Sequence, residues 1–104
     1  MTTHDRIKEL LQKYRIILFM KGNRVFPQCG FSAAVIEILE TYDIDYETVN
    51  ILEDPDLRQG LKDYSQWPTF PQLYIDQELI GGCDIVTTMH QNKELAQLLQ
   101  SQEV

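Results

Sequence analysis

Cys29 is the residue with the most chemistry to offer. It stands in Val25-Phe26-Pro27-Gln28-Cys29-Gly30-Phe31-Ser32, where a strand-and-loop segment gives way to a helix. A sulfur at that junction faces the positive helix end and its unpaired N–H groups, which favour the thiolate, the form that attacks disulfides and binds metals. A buried, inert cysteine is the usual alternative, and Pro27 and Gly30 on either side argue against it. Lys21, at the mouth of the preceding strand, would stabilise the same anion; as a bare sequence position it reads equally well as a solvated strand-end lysine. Ser32 takes the place where a two-cysteine redox pair would carry its second thiol, and a hydroxyl cannot resolve a mixed disulfide. Efficient dithiol reduction is therefore excluded at this motif, and Ser32 also reads as an ordinary first-turn helix residue. Cys83 is the other cysteine, and two are too few for a disulfide scaffold, so both point to chemistry rather than stapling.

The elements that must position these thiols follow from hydrophobic spacing. Arg15-Ile16-Ile17-Leu18-Phe19-Met20 is a nearly continuous apolar run, the pattern of a buried strand, broken by Lys21-Gly22-Asn23. Phe31, Ala34, Val35, Ile38, Leu39 and Tyr42 recur at helical spacing and are expected on the core face of the cysteine helix. Ahead of the strand, Thr2 or Thr3 caps a first helix, Asp5 completes a capping box with Thr2, and Ile7, Leu10, Leu11 and Tyr14 share one face. Beyond the turn Asp43-Ile44-Asp45, residues 46–50 form a second strand, and strand-helix-strand of this length implies a parallel pair with a right-handed crossover.

Asp54 before Pro55 starts a third helix with the stripe Leu57, Leu61 and Tyr64, and residues 65–71 form a loop stiffened by two prolines. Leu73-Tyr74-Ile75 and Leu79-Ile80 make a hairpin about Asp76-Gln77-Glu78, whose turn lacks the usual glycine. Gly81-Gly82 ends the last strand, Cys83-Asp84-Ile85-Val86 opens a fourth helix, and Asn92 separates it from a final helix carrying Leu95, Leu98 and Leu99. The order α-β-α-β-α-β-β-α-α predicts an α/β fold, one mixed four-stranded sheet flanked by helices, in a single domain over residues 1–104. It brings the Cys29 helix start, the Phe70-Pro71 loop and the Gly82-Cys83-Asp84 helix start to one end of the sheet, where such folds bind ligands.

A net charge of −7 argues against a general binder of nucleic acid or anionic membrane, which would repel the chain at long range. From Glu37 to Leu57 there are eight acidic residues and no lysine or arginine, which reads as a solvated acidic face, with an acidic docking patch as the alternative. No apolar run approaches membrane-spanning length and the N-terminus lacks a secretory hydrophobic core, so a cytoplasmic or equivalent reducing compartment is expected. His4 and His90 have no spaced second ligand, which argues against zinc.

Four segments in register carry a family resemblance: Lys21-Gly22, Pro27-Gln28-Cys29-Gly30-Phe31-Ser32, Trp67-Pro68-Thr69-Phe70-Pro71-Gln72-Leu73-Tyr74 and Gly81-Gly82-Cys83-Asp84-Ile85-Val86. Together, over nearly the whole chain to about Leu99, they resemble the single-domain monothiol glutaredoxins of the Cys-Gly-Phe-Ser type. The resemblance implies a thioredoxin-like (glutaredoxin) fold, glutathione binding, and a [2Fe-2S] cluster held between two chains. The implied partners are a second copy in a homodimer, a BolA-like protein in a mixed dimer, and apo iron–sulfur proteins that receive the cluster. Element order reaches the fold independently; the cluster comes from the resemblance alone.

A [2Fe-2S] centre ordinarily takes four thiolates. One Cys29 from each chain supplies two; by counting, Cys83 could supply the others, while the resemblance assigns them to two glutathione thiols. Glutathione is preferred, because the chain carries groups suited to it. Lys21 and Arg58 suit carboxylates, although Arg58 alone would read as a surface charge. The resemblance implies a cis Pro71, whose turn exposes the N–H and C=O of Phe70 to an extended peptide. Gly82 allows close backbone approach, the N–H groups of Cys83 and Asp84 suit the second carboxylate, and the Asp84 side chain suits the ammonium. Cys83 itself is a passive neighbour of the ligand or a slow disulfide partner for Cys29. Trp67 and Phe31 read as packing residues, with shielding of a cluster as the alternative. The leading function is thus an iron–sulfur cluster carrier; the alternative is an enzyme, at most a weak glutathione-dependent thiol–disulfide oxidoreductase, removing glutathione from proteins. A plain adaptor acting through the acidic face would leave Cys29 unexplained.

Overall fold

A computed structural model describes residues 1–100. Its central strand, β1 (Ile16–Met20), is buried along its whole length because helices cover both of its faces. Ile16, Leu18 and Met20 enter one apolar layer with Val35, Leu39, Leu73, Val86 and Leu95. Ile17 and Phe19 enter the other with Ile7, Leu11, Leu57, Leu61 and Tyr74. A strand with apolar neighbours on both sides carries a continuous apolar run instead of an alternating one, which is why residues 16–20 look as they do.

The sheet order is β2-β1-β3-β4. β2 (Glu47–Asn50) runs parallel to β1, β3 (Gln72–Ile75) runs antiparallel to it, and β4 (Glu78–Gly81) pairs antiparallel with β3. The first face is closed by α2 (Gly30–Leu39), α4 (Cys83–Gln91) and α5 (Glu94–Gln100), the second by α1 (Thr3–Lys13) and α3 (Pro55–Ser65). This four-stranded mixed sheet flanked by helices is the thioredoxin-like arrangement that the element order predicts.

The helix starts follow local chemistry. Thr2 caps α1: its hydroxyl oxygen accepts the Asp5 N–H at 3.1 Å, and the Asp5 carboxylate accepts the Thr2 N–H at 3.2 Å. Asp54 caps α3 by accepting the Leu57 N–H at 3.1 Å, and its other oxygen takes Arg6 of α1 at 2.6 Å, fastening the two helices together. Between β2 and α3 lies a 3-10 turn, Ile51–Glu53, that periodicity does not reveal; the Asn50 side chain caps it by accepting the Leu52 N–H at 3.0 Å.

Two expectations are corrected. Phe31 is not on the core face of α2: it is 64% exposed, and the buried positions are Ser32, Val35, Ile36 and Leu39. Ser32, the next residue, takes the buried place in that turn against the end of β1, which leaves residue 31 facing the cleft. The β3–β4 turn, which lacks glycine, places both Asp76 (φ 51) and Gln77 (φ 70) in the left-handed region, the signature of a type I′ hairpin, with Glu78 already paired in β4.

Because α2 is fixed to the sheet by side chains with no solvent exposure, Leu39→Ala should cost about 2–5 kcal/mol. Urea unfolding with an unchanged denaturant slope is the measurement, and a loss below about 1 kcal/mol would contradict this account of how α2 is held.

Candidate functional site

The end of β1 and the starts of α2 and α4 meet at one end of the sheet. The chain leaves β1 at Lys21 and folds back at once: the Gln28 N–H donates to the Lys21 carbonyl at 2.8 Å, and Asn23 Oδ1 accepts the Val25 and Phe26 N–H groups at 2.9 and 2.8 Å. Gly22 makes this return possible. Its φ is +90°, and a Cβ there would lie 2.5 Å from the Gln28 nitrogen. The returning strand delivers Cys29, in extended conformation, to the N-cap position of α2.

That position determines the state of the thiol. The Ser32 backbone N–H is the largest influence holding Cys29 below the usual cysteine range. Partial burial works against it; the Phe31 N–H, the Ser32 hydroxyl and the Lys21 ammonium add to the lowering. Ser32 is more than an ordinary first-turn residue. It is fully buried, and its oxygen accepts the Lys21 N–H at 3.2 Å, which ties the end of β1 to the start of α2 and leaves the hydroxyl proton for the sulfur.

Cys29 opens on a cleft of about 520 Å³, inside the roughly 300–1,000 Å³ range of small-molecule sites. Of the residues singled out from sequence, Lys21, Cys29, Phe70, Pro71, Cys83 and Asp84 line it together. The Phe70-Pro71 peptide is cis, as the resemblance implies. Gly82 is buried behind the lining as the N-cap of α4; it has no side chain to occupy the helix's first N–H groups, and a Cβ on it would sit 3.2 Å from the Pro71 carbonyl oxygen. Arg58 is not brought in: it is exposed on α3 and does not line the cleft. Cys83 lines the cleft from the first turn of α4, with its sulfur 4.0 Å from Thr87 Oγ1.

Phe31 and Trp67, for which packing and shielding of a cluster were the two sequence readings, also line the cleft, and Thr69 and Ile85 join them without any sequence reading of their own. Trp67 and Thr69 lie inside the motif that contains Phe70-Pro71, so the motif itself was the available signal. Ile85 follows Cys83 by two positions in the same helical turn. The Trp67 indole N–H is buried beside Gly82 without a hydrogen-bond partner among the described residues. Neither histidine joins the site: His90 shares a 2.6 Å hydrogen bond with the Tyr42 hydroxyl, and His4 meets the Tyr64 ring edge-on. Among the described residues no three His, Cys, Asp or Glu side chains are grouped to hold a metal ion, and no helix is long and apolar enough to cross a membrane.

A thioredoxin-like sheet that presents one stabilised thiolate at a helix start, with serine where a second thiol would stand, defines a thiol protein with a one-cysteine motif. Comparison with known proteins narrows the class. Residues 16–80 match the glutaredoxin family model. The chain is 49% identical over 94 residues to the chloroplastic monothiol glutaredoxin-S7 of rice, covering 90% of this chain and 56% of that protein. It is 45% identical over 98 residues to a monothiol glutaredoxin of Synechocystis, covering 94% of this chain and 92% of that one. The solution structure of reduced poplar apo GrxS14 superposes with a TM-score of 0.78 at 51% identity, covering 88% of this chain and 84% of the other. The chain therefore belongs to the glutaredoxin family, as a monothiol glutaredoxin. It spans about half or less of the length of several plant and animal relatives.

The reacting form of Cys29 is the thiolate, so alkylation should fall away only as pH drops through a midpoint below the usual cysteine range. Ser32→Ala removes one donor and should move that midpoint upward, slowing alkylation at pH 7 severalfold. Iodoacetamide rates against pH, followed on the Cys29 peptide, measure both; an ordinary cysteine midpoint in the unmodified protein would contradict the site as described.

Proposed function

We propose that this chain is a glutathione-dependent carrier of a [2Fe-2S] cluster, which two subunits hold between their Cys29 thiolates and two glutathione thiols and pass to apo-proteins by ligand exchange. The observation that carries the proposal is the mismatch between ligand quality and ligand number: one well-stabilised, half-exposed thiolate per chain faces a cleft large enough for a peptide. A [2Fe-2S] cluster ordinarily takes four thiolates. Two Cys29 sulfurs leave two positions to fill, and ligands that are not part of the chain can leave without unfolding it.

The cleft chemistry suits glutathione as the source of those ligands. Lys21 takes one carboxylate, and the uncapped N–H groups of Cys83 and Asp84 at the start of α4 take the other. The Asp84 carboxylate takes the ammonium, and the backbone of Phe70, beside the cis Pro71, pairs with the peptide as an added strand would. Arg58, outside the lining, would make at most a rim contact. A second copy, a BolA-like protein in a mixed dimer and the recipient apo-proteins are the proposed partners, in a reducing compartment such as the cytoplasm where both thiols stay free.

A second reading is favoured by the same open thiolate. Cys29 attacks the glutathione sulfur of a protein mixed disulfide and the protein leaves as its thiolate; free glutathione then attacks the Cys29–glutathione disulfide, giving oxidised glutathione and the original Cys29 thiolate. This would make the protein a glutathione-dependent oxidoreductase without need of a second cysteine.

Anaerobic reconstitution with iron and sulfide separates the two. A brown dimer should form only when glutathione is present, Cys83→Ser should keep the colour, and Cys29→Ser should abolish it. A brown dimer without glutathione, or colour lost with Cys83→Ser, would reject glutathione as the completing ligand; a colourless monomer with brisk deglutathionylation would favour the enzyme.

A further inference from the structure

The loop between β1 and Cys29 is held at its root, within itself and at Arg24. At its root, the Gln28 N–H bonds to the Lys21 carbonyl and the Gly22 N–H to Asn50 Oδ1 at 2.9 Å. Within it, Asn23 Oδ1 accepts the Val25 and Phe26 N–H groups and the Asn23 N–H donates to the Phe26 carbonyl at 3.2 Å, so the tip is one closed turn, and Arg24 ties that turn to α2 and Tyr46. Its Nη2 and Nε lie 2.9 and 3.1 Å from Glu40 Oε2, its Nη1 reaches the Tyr46 carbonyl oxygen at 3.5 Å, and its guanidinium carbon lies 4.0 Å from the centre of the Tyr46 ring. The Tyr46 hydroxyl donates to the same Glu40 oxygen. Glu40 is the C-cap of α2, the helix whose N-cap is Cys29, so the loop that leads into one end of that helix is fastened to its other end.

What this grip restrains is apolar. Val25 and Phe26, next to Arg24, are 75% and 69% exposed, and Phe31 and Ile85 on the cleft are exposed as well. Phe26 is three residues from Cys29, near enough for its ring to fold onto Phe31 if the tip were free. Partial burial of such side chains shifts an equilibrium by roughly ten-fold. One exposed ion pair resists by up to about five-fold, and the stacked ring and shared hydroxyl add to it. The two tendencies are close enough that the grip decides between them. The grip also persists across neutral pH. The Tyr46 hydroxyl, and after it Arg24, holds the Glu40 carboxyl below the usual carboxylate range, while burial, aided by the bond to Glu40, pushes the Tyr46 phenol up to about 12.

We propose that Arg24 is a positioning residue of the thiol site: fastened to Glu40 and Tyr46, it keeps the Val25-Phe26 tip off the cleft and so leaves Cys29 open to large reaction partners. The inference concerns access to the sulfur and is read on the protein alone, so its failure and that of the glutathione reading are distinguishable.

The test compares alkylation of Cys29 by a polyethylene-glycol maleimide and by iodoacetamide, followed on the Cys29 peptide at one pH. The ratio of the two rates cancels the thiolate population, and both reagents are uncharged, so the lost charge of a variant drops out. In Arg24→Gln and in Glu40→Ala the ratio should fall about two- to five-fold, the span of an exposed ion pair. Adding Phe26→Ser to Arg24→Gln removes the ring that would fold inward and should restore the ratio, which a merely stabilising ion pair has no reason to do. A ratio unchanged in either single variant, or a fall that Phe26→Ser does not reverse, overturns the proposal.

Discussion

A cysteine kept as an anion needs donors that water would otherwise provide, and the start of a helix is where a folded chain has donors to spare. The Ser32 and Phe31 N–H groups serve the Cys29 sulfur, and the rest of the fold exists to keep them there. Val35, Ile36 and Leu39 bind α2 to the sheet, and β1 runs under it to the residue that begins the return loop. Gly22 lets that return be tight enough to deliver the sulfur to the cap itself rather than a turn earlier or later. In a chain with a net charge of −7, the local arrangement of dipoles and the Lys21 ammonium has to outweigh the general field. It does so because donors a bond length away act through little solvent, while the acidic side chains are screened by water and salt.

The same geometry leaves Cys29 without a second thiol beside it in its own helix. Serine replaces the second thiol of a redox pair, and Cys83 faces the cleft from another helix, with the Thr87 hydroxyl 4.0 Å from its sulfur. A single strong sulfur ligand beside a peptide-sized cleft, with a second helix start bare of any capping side chain, is an arrangement that invites a ligand supplied from outside. Membership of the glutaredoxin family gives that ligand its natural candidate in glutathione. A carrier benefits from borrowed ligands, since giving up the cargo then costs no folded structure.

Much of this was legible in the chain. The continuous run of residues 16–20, the Asp54-Pro55 helix start and the Gly81-Gly82 strand end each report a local rule that tertiary packing leaves intact. The reading failed where a residue's partners come from distant elements. Phe31 fits the helical stripe, yet Ser32 takes the buried place in the first turn of α2 and Phe31 is left exposed on the cleft. Ser32 looked ordinary because nothing in its neighbourhood in sequence shows that it will be buried against the Lys21 backbone. The Arg24, Glu40 and Tyr46 contacts join a loop, a helix end and the approach to a strand, and no spacing rule connects them. Arg58 fits the family pattern and stands exposed on α3, outside the cleft lining.

The central claim, that the lone Cys29 thiolate of each chain is completed by a borrowed tripeptide, is tested most directly by a native mass spectrum of the cluster-loaded protein. The account predicts one species whose mass is two chains, one [2Fe-2S] unit and two glutathione molecules. A loaded dimer whose mass leaves no room for glutathione would contradict it, because the remaining thiolates would then have to come from the chains themselves.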